Sequence, residues 1–441
     1  MHSKQESCNL LFRTILPATT AVFARAIVLA LTLLLAQTVQ AQTYRVIHTF
    51  IGGEGSNPFA GVVVDPSGRL YGTTTNWPTC WEWPGGGSVY KLWPENGNWI
   101  FEPLATSGAD GWCPFGGLIR DANGVLYGTY FTGSYGWGWG TIFVLEAAPR
   151  AWRNISEKWW RPTLYTFQGN GDGGAPYDTL AFDQAGNLYG TTYLEGDYGC
   201  GLVFKLTYSG GIWTKSNLYS FMGSPYHDGC GPFAGLVFDR TGNLYGTTKE
   251  GSTQSYYLNC GTVFELAPSG SGWTETVLYS FSGKGDGCNP QAGVTLDEAG
   301  NLYGATLNTL QSPSGAGTVF ELSSSQGNWN YSLLYTFDGN GSTCPGGGGA
   351  QGSGPASSLT LDSGGSIYGT TQNDGAYGYG NVFKLAPSSG GWTYSSLHDF
   401  TGVDGANPCG GVAFDTSGNL YGTTWTGDLD HYYGVVWEIT Q

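Results

Sequence analysis

The sequence predicts a closed, all-β seven-bladed propeller of four-stranded antiparallel blades, and three observations carry that expectation. The phrase Leu-Tyr-Gly-Thr-Thr, or a near copy, occurs seven times, with its tyrosine at Tyr71, Tyr127, Tyr189, Tyr245, Tyr303, Tyr368 and Tyr421. Successive tyrosines lie 53 to 65 residues apart, which is too long for a solenoid coil and right for one propeller blade. The ends of the chain also complement each other. Ile47-His48-Thr49-Phe50 reads as a fourth strand with no preceding three, while the C-terminus stops after a third-type strand at 435–439. Termini that share a blade close a ring and leave no sheet edge open at the junction.

The repeats begin near 60, 117, 178, 235, 292, 358 and 411, and each parses into the same elements. The first strand is a short apolar run ending in aspartate, as in Gly235-Leu236-Val237-Phe238-Asp239. Asp-x-x-Gly follows in all seven copies, starting at Asp65, Asp121, Asp183, Asp239, Asp297, Asp362 and Asp415. Aspartate accepts backbone N–H bonds at the start of such a turn, and glycine takes the left-handed position that reverses the chain. The second strand is the Leu-Tyr-Gly-Thr phrase. Its internal glycine implies that something packs closely on the backbone there, and a neighbouring blade is the expected partner. The third strand reads Val-Phe-x-Leu in variants (89–92, 142–145, 203–206, 263–266, 319–322, 382–385 and 436–439), with one slot facing water. The fourth reads Leu-Tyr-Ser/Thr-Phe at 164–167, 218–221, 278–281 and 334–337. It is looser at 397–400 and degenerate near Leu104, and 147–162 reads as an insertion in the second blade's hairpin.

Residues 1–41 read as an export signal. Lys4, Arg13 and Arg25 precede an apolar run of 11 residues at 26–36, and Val39-Gln40-Ala41 offers a cleavage site. That run is far below the roughly 20 residues of a spanning helix, so no transmembrane anchor is expected after signal removal. The remainder would carry 14 Lys+Arg against 32 Asp+Glu, a formal charge of −18. Such a surface repels phosphate backbones and argues against a nucleic-acid partner or an anionic membrane. Loss of Cys8 leaves eight cysteines, the even complement of an oxidising compartment. The expected location is secreted or at the cell surface.

Asp-x-x-Gly-Asn-Leu-Tyr-Gly-Thr-Thr, Gly-Thr-Val-Phe-Glu-Leu and Leu-Tyr-Ser-Phe followed by Asp-Gly-x-x-Pro, in that order, resemble the GloVer tandem repeat, a family of bacterial exported proteins that often carry a C-terminal surface anchor. The resemblance covers nearly all of 44–441. It implies a bacterial exported propeller and no particular activity. This chain ends on a strand where anchored members carry a sorting tail.

In an up-and-down blade, the loops joining strands two and three lie on the same face as the loops leading to the next blade. All eight remaining cysteines fall in these loops, and pairing within a repeat predicts Cys80–Cys113, Cys200–Cys230 and Cys260–Cys288, with Cys344 and Cys409 bonded to each other or free. The interblade loops share Asp/Glu-Gly-x-x-Pro. Asp110, Asp172, Asp228, Asp286 and Asp404 are therefore candidate carboxylates ringing the channel mouth, as divalent-cation ligands or an acid/base pair, though the plainer reading is that each caps its own turn. No cofactor is implied beyond such a cation, and no Cys/His spacing suits a structural metal. The two-to-three loops depart from the repeat by carrying aromatics: Trp77, Trp81 and Trp83 in the first blade, Tyr135, Trp137 and Trp139 in the second, Tyr256 and Tyr257 in the fourth, Tyr377 and Tyr379 in the sixth, and Trp425, Tyr432 and Tyr433 in the seventh. Aromatics on a rigid scaffold make stacking platforms for sugar rings, or simply cover a glycine-rich loop layer. The leading expectation is a noncatalytic module that binds an extracellular glycan or other polymer. A propeller-type polysaccharide lyase or hydrolase, with no catalytic residue identifiable, and an adhesive scaffold for a surface protein are the alternatives.

Overall fold

The computed structural model describes residues 42–441 apart from 77–85, 107–110, 134–137, 148–158, 224–225, 252–259, 309–316, 326, 338–353 and 428–432. The export signal therefore lies outside the described residues. Among those described, no helix is long and apolar enough to cross a membrane.

Seven antiparallel sheets form the ring. In blade three the strands Ala181–Phe182, Leu188–Thr192, Leu202–Ser209 and Ile212–Ser220 pair in chain order. Blades one, four, five and six repeat this arrangement, with second strands Leu70–Thr74, Leu244–Thr248, Leu302–Thr306 and Ile367–Thr371. In blade two the fourth strand, Thr163–Thr166, pairs with Thr141–Ala147, and the insertion contributes a short extra strand, Trp159–Trp160, on the same partner. Blade seven takes three strands from the C-terminus and its outermost, Thr43–Thr49, from the N-terminus, with Tyr44 opposite Ile439 and Thr49 opposite Val435. The ring closes as the split blade predicted.

The Asp-x-x-Gly turns explain two repeated residues at once. Asp183 Oδ1 accepts the amides of Ala185 and Asn187, and its Oδ2 accepts the Tyr189 hydroxyl at 3.1 Å. The same tyrosine-to-aspartate bond recurs in blades one, four, five, six and seven at 3.0 to 3.4 Å. The turn glycines sit at positive φ, for example Gly186 at 81°. These donors hold the Asp183, Asp239 and Asp362 carboxyls below their ordinary range, against the upward push of burial.

The glycine of Leu-Tyr-Gly-Thr requires a correction. The group that crowds it belongs to its own blade: it is the aromatic opposite it on the third strand. A Cβ on Gly304 would lie 2.4 Å from the Phe320 ring, and one on Gly422 2.3 Å from Trp437. The flat ring lies on bare backbone, where a methyl group would displace it.

Cohesion between blades is apolar and continuous. One cluster joins Tyr189, Val203 and Phe221 of blade three to Leu236, Leu244, Phe264 and Leu266 of blade four, and equivalent clusters fill the other seams. Such face-to-face sheet packing buries both sides of the inner strands. In every blade the ladder between strands three and four also shifts by one residue. In blade three Val203 pairs with Tyr219 and Phe204 with Asn217, so that Leu218, from the repeated Leu-Tyr phrase, is the bulged residue. Finally, in six of the seven phrases the first threonine donates to a carbonyl three residues ahead of the innermost strand of the next blade. Thr73, Thr129, Thr191, Thr247, Thr370 and Thr423 reach Gly116, Asp178, Ala234, Ala292, Gly410 and Ala60 at 2.9 to 3.3 Å. Blade five has Ala305 in that place.

Candidate functional site

The loops of one face are tied together from both sides. Cys200, in the two-to-three loop of blade three, is bonded to Cys230 in the loop leading to blade four, with Cα atoms 4.6 Å apart; Cys260 and Cys288 do the same one blade on, at 4.3 Å. On their other side, Cys230 and Cys288 bridge by backbone pairing to Glu250 and Asn308 of the following blade. Cys113 and Cys409 each take part in a disulfide, and Cys80 and Cys344 lie outside the described residues.

Of the thirteen aromatics that the sequence singled out, Trp139, Tyr377, Tyr379, Trp425 and Tyr433 are described; Trp77, Trp81, Trp83, Tyr135, Trp137, Tyr256, Tyr257 and Tyr432 lie outside the described residues. Trp139 and Tyr433 stand where blade three has Cys200, immediately before the third strand. Each covers glycine backbone across the seam. A Cβ on Gly174 would meet the Trp139 ring at 2.8 Å, and one on Gly52 would meet Tyr433 at 3.0 Å. Both rings remain 38% exposed, so one face packs and the other meets solvent. Trp425 is partly buried against a cluster of Phe59, Trp112, Phe115, Tyr177 and Phe233. The most exposed described aromatics on this face are Tyr198, Tyr226 and Tyr377, at 59%, 64% and 61%, and of these only Tyr377 was in the sequence-derived set.

The four described candidate carboxylates, Asp172, Asp228, Asp286 and Asp404, stand at the seams between blades, each bonded by a residue of the outermost strand, and none is among the described residues lining the axial cavity. Asp172 accepts the Gln168 amide and the Tyr165 hydroxyl. Asp228 accepts the Met222 and Gly223 amides and the Tyr219 hydroxyl. Asp286 accepts from Ser282 and Tyr279, and Asp404 from Thr401 and His398. Asp110 lies outside the described residues. Burial and the adjacent carboxylate push the Tyr165, Tyr219 and Tyr279 hydroxyls well above their ordinary values. His48 and His398 occupy the tyrosine place in their blades and bond Glu54 and Asp404; burial lowers both imidazoles against the pull of the acid. A residue of the next blade's fourth strand completes each seam: Lys215 Nζ lies 3.0 Å from Asp172, the Tyr331 hydroxyl donates to the Asp286 carbonyl, and Glu275 faces Asp228. Among the described residues, no group of three His, Cys, Asp or Glu side chains could hold a metal ion.

On the axis lies a cavity of about 230 Å3, lined by residues of all seven blades that lie in or just ahead of the innermost strands. Four aromatics, Phe59, Phe115, Tyr177 and Phe233, crowd its loop-side end, with Phe115 stacked on Tyr177 at 5.0 Å and Tyr177 3.7 Å from Phe233. Blades five, six and seven have Gln291, Ala356 and Cys409 in that position. One residue further along, the seven blades present Ala60, Gly116, Asp178, Ala234, Ala292, Ser357 and Gly410, so Asp178 is the one acid among small residues. Its Oδ1 accepts the Thr179 amide and hydroxyl, and its Oδ2 accepts the Gly235 amide at 2.7 Å. Burial raises its pKa and these donors oppose the rise. The sequence reading missed this position. The signal was available by aligning the second residue after each interblade proline.

Fold and site together define a tandem-repeat propeller: a sevenfold frame of strands and turns with its chemical variation confined to one loop face and the axial wall. A family model described as the Gloeobacter/Verrucomicrobia repeat matches residues 129–351. That is just over half of the chain, and the protein belongs to this family. No curated protein matches it. Among solved structures, a fungal alcohol oxidase of the AA5 family in complex with copper is similar at 13% identity, covering 90% of this chain and 76% of its own, with a TM-score of 0.49. A luciferin-regenerating enzyme is similar at 14% identity, with coverages of 91% and 95% and a TM-score of 0.42. Likenesses this distant carry nothing about activity.

Proposed function

We propose that this chain is an exported, noncatalytic binding module that engages an extracellular glycan through its disulfide-bearing loop face. The observation that supports it is where apolar surface remains uncovered. Among the described residues the strongly exposed aromatics are Trp139, Tyr198, Tyr208, Tyr226, Tyr377, Tyr379 and Tyr433. All but Tyr208 belong to loops of that one face. Rigid aromatics on braced loops lose little entropy on binding, and their flat faces match sugar rings. Disulfide bracing and the absence, among the described residues, of an apolar spanning helix accord with export.

The test is affinity electrophoresis through gels containing soluble polysaccharides, with the chain compared against a Tyr198→Ala, Tyr226→Ala, Tyr377→Ala variant. Retardation by one polysaccharide should fall at least tenfold in the variant, because anchors at such surfaces typically contribute about 1–2 kcal/mol each. The melting temperature should stay unchanged. Equal retardation of both proteins, or none by any polysaccharide, overturns the reading. New reducing or unsaturated ends in the gel would favour the lyase or hydrolase instead.

A further inference from the structure

The axial wall departs from sevenfold symmetry in a way the loop-face reading does not use. In the ring of residues that follows the aromatic end of the cavity, only Asp178 of blade three and Ser357 of blade six carry a hydrogen-bonding side chain. In a ring of seven, blades three and six stand on opposite sides of the axis, so the two groups face across the cavity. Ser357 is also where the interblade stitch fails, because Ala305 replaces the threonine that elsewhere donates to this position.

In two residues that line the cavity a buried polar atom has no hydrogen-bond partner among the described residues: the Ser357 Oγ and the Tyr177 Oη, the latter in a residue only 4% exposed. A buried hydroxyl left unpaired costs about 1–3 kcal/mol, so such atoms mark a place where something else supplies the bond. Asp178 Oδ1 takes two protein donors and Oδ2 one, which leaves Oδ2 free to accept another. The described lining contains no Lys, Arg or His, and Lys249, 5.7 Å from the Phe233 ring, is not part of it, so an anion would meet the Asp178 carboxylate with no cation lining the cavity. A bare ammonium offers donors only, whereas the Tyr177 and Ser357 protons need acceptors. A hydroxyl group does both. Phe59, Phe115 and Phe233 add an apolar end on which a ring carbon face can rest. The volume, about 230 Å3, lies below the roughly 300–1,000 Å3 of drug-sized sites.

We propose that the axial cavity is a second binding site, distinct from the loop face, for one small neutral polyhydroxylated molecule the size of a monosaccharide or cyclic polyol. A ligand hydroxyl donates to Asp178 Oδ2, while Tyr177 and Ser357 donate to ligand oxygens.

Titration calorimetry of the full chain with glucose, galactose, N-acetylglucosamine, glycerol and inositol tests this. At about 10 mM ligand even a 1 mM site is nearly saturated. At least one neutral member should bind, and its phosphorylated form should bind more weakly. Tyr177→Phe and Ser357→Ala should each weaken that ligand about two- to tenfold. Tyr177→Phe should keep or raise the melting temperature of the free protein, since it deletes an unpaired hydroxyl. These two variants carry the test if Asp178→Asn fails to fold. The triple loop-tyrosine variant should bind the small ligand normally. Absence of binding by every member, tighter binding of the phosphorylated form, or affinity indifferent to Tyr177→Phe and Ser357→Ala would overturn the proposal, as would a ligand lost with the loop tyrosines alone.

Discussion

The seam between blades two and three and the seam between blades three and four have the same backbone and opposite chemistry. At the first, the Trp139 ring covers Gly174, and Lys215 pairs with Asp172 at 3.0 Å. At the second, the Trp/Gly pair is replaced by the Cys200–Cys230 bond, and the lysine by Glu275, which confronts Asp228. The repeat therefore fixes the shape of the joint and leaves its chemistry open. A covalent bond and an aromatic over bare backbone fill the same space. So do a cation that compensates the seam carboxylate and an acid whose ionisation is opposed by burial and by that carboxylate. Variation of this kind is affordable because the apolar clusters between the sheets already hold the blades together.

The largest difference between the two seams should be covalent. Changing Cys200 and Cys230 to Ser should lower stability by about 3–4 kcal/mol, the loop-closure effect expected for a separation of 30 residues. The measurement is the urea midpoint in the oxidised state; a midpoint unchanged from the parent would mean that the bond adds nothing to a joint already closed by packing. The aromatic joint should be weaker. Trp139→Ala removes a partly exposed ring, so a loss of about 2 kcal/mol is expected, below the range for a fully buried tryptophan. The joint can also be converted. A cysteine at 174 needs the space of the Trp139 ring, so Trp139→Cys with Gly174→Cys should form a bridge and recover the loss. Free thiols at both positions in an oxidised sample would show that the two joints are not interchangeable.

The frame of these seams was legible in the sequence because turns and strand phrases are local: Asp183 and Gly186 specify their hairpin wherever the blade sits, and the split blade specifies closure. The pairing of Cys200 with Cys230 followed from loop order alone. What escaped was set by distance in the chain. Nothing near Gly304 says that Phe320 will lie on it, and the glycine was assigned to the wrong neighbour. Nothing near Asp228 says that Glu275, 47 residues on, will face it. The carboxylates were placed at the channel because their loops lead there, yet the four described ones are each bonded by the tyrosine or histidine of the outermost strand. Asp178 was overlooked for a different reason: it hides in a column of glycine and alanine that becomes a wall only when seven blades meet.

The smallest effect carries the clearest signature. Burial, and then the charge of Asp228, raise the Glu275 carboxyl to about 8, and its Oε1 has no hydrogen-bond partner among the described residues. In the unfolded chain the same group titrates near 4.3. Between these values the folded protein holds a proton that the unfolded chain releases, so this group's contribution is fully present below the unfolded pKa and is lost as pH rises through about 8. Glutamine imitates the neutral acid without titrating. Glu275→Gln should therefore match the parent at about pH 4 and exceed its stability by about 1 kcal/mol at about pH 8.5, a figure reduced from the full shift because solvent reaches this partly buried side chain. His48 and His398, whose lowered values give the opposite slope, are common to both proteins and cancel in the difference. Denaturant midpoints across that range decide the matter. If the two proteins keep a constant difference, Glu275 is ionised beside Asp228 throughout, and the seam tolerates two bare carboxylates where its neighbour uses a lysine.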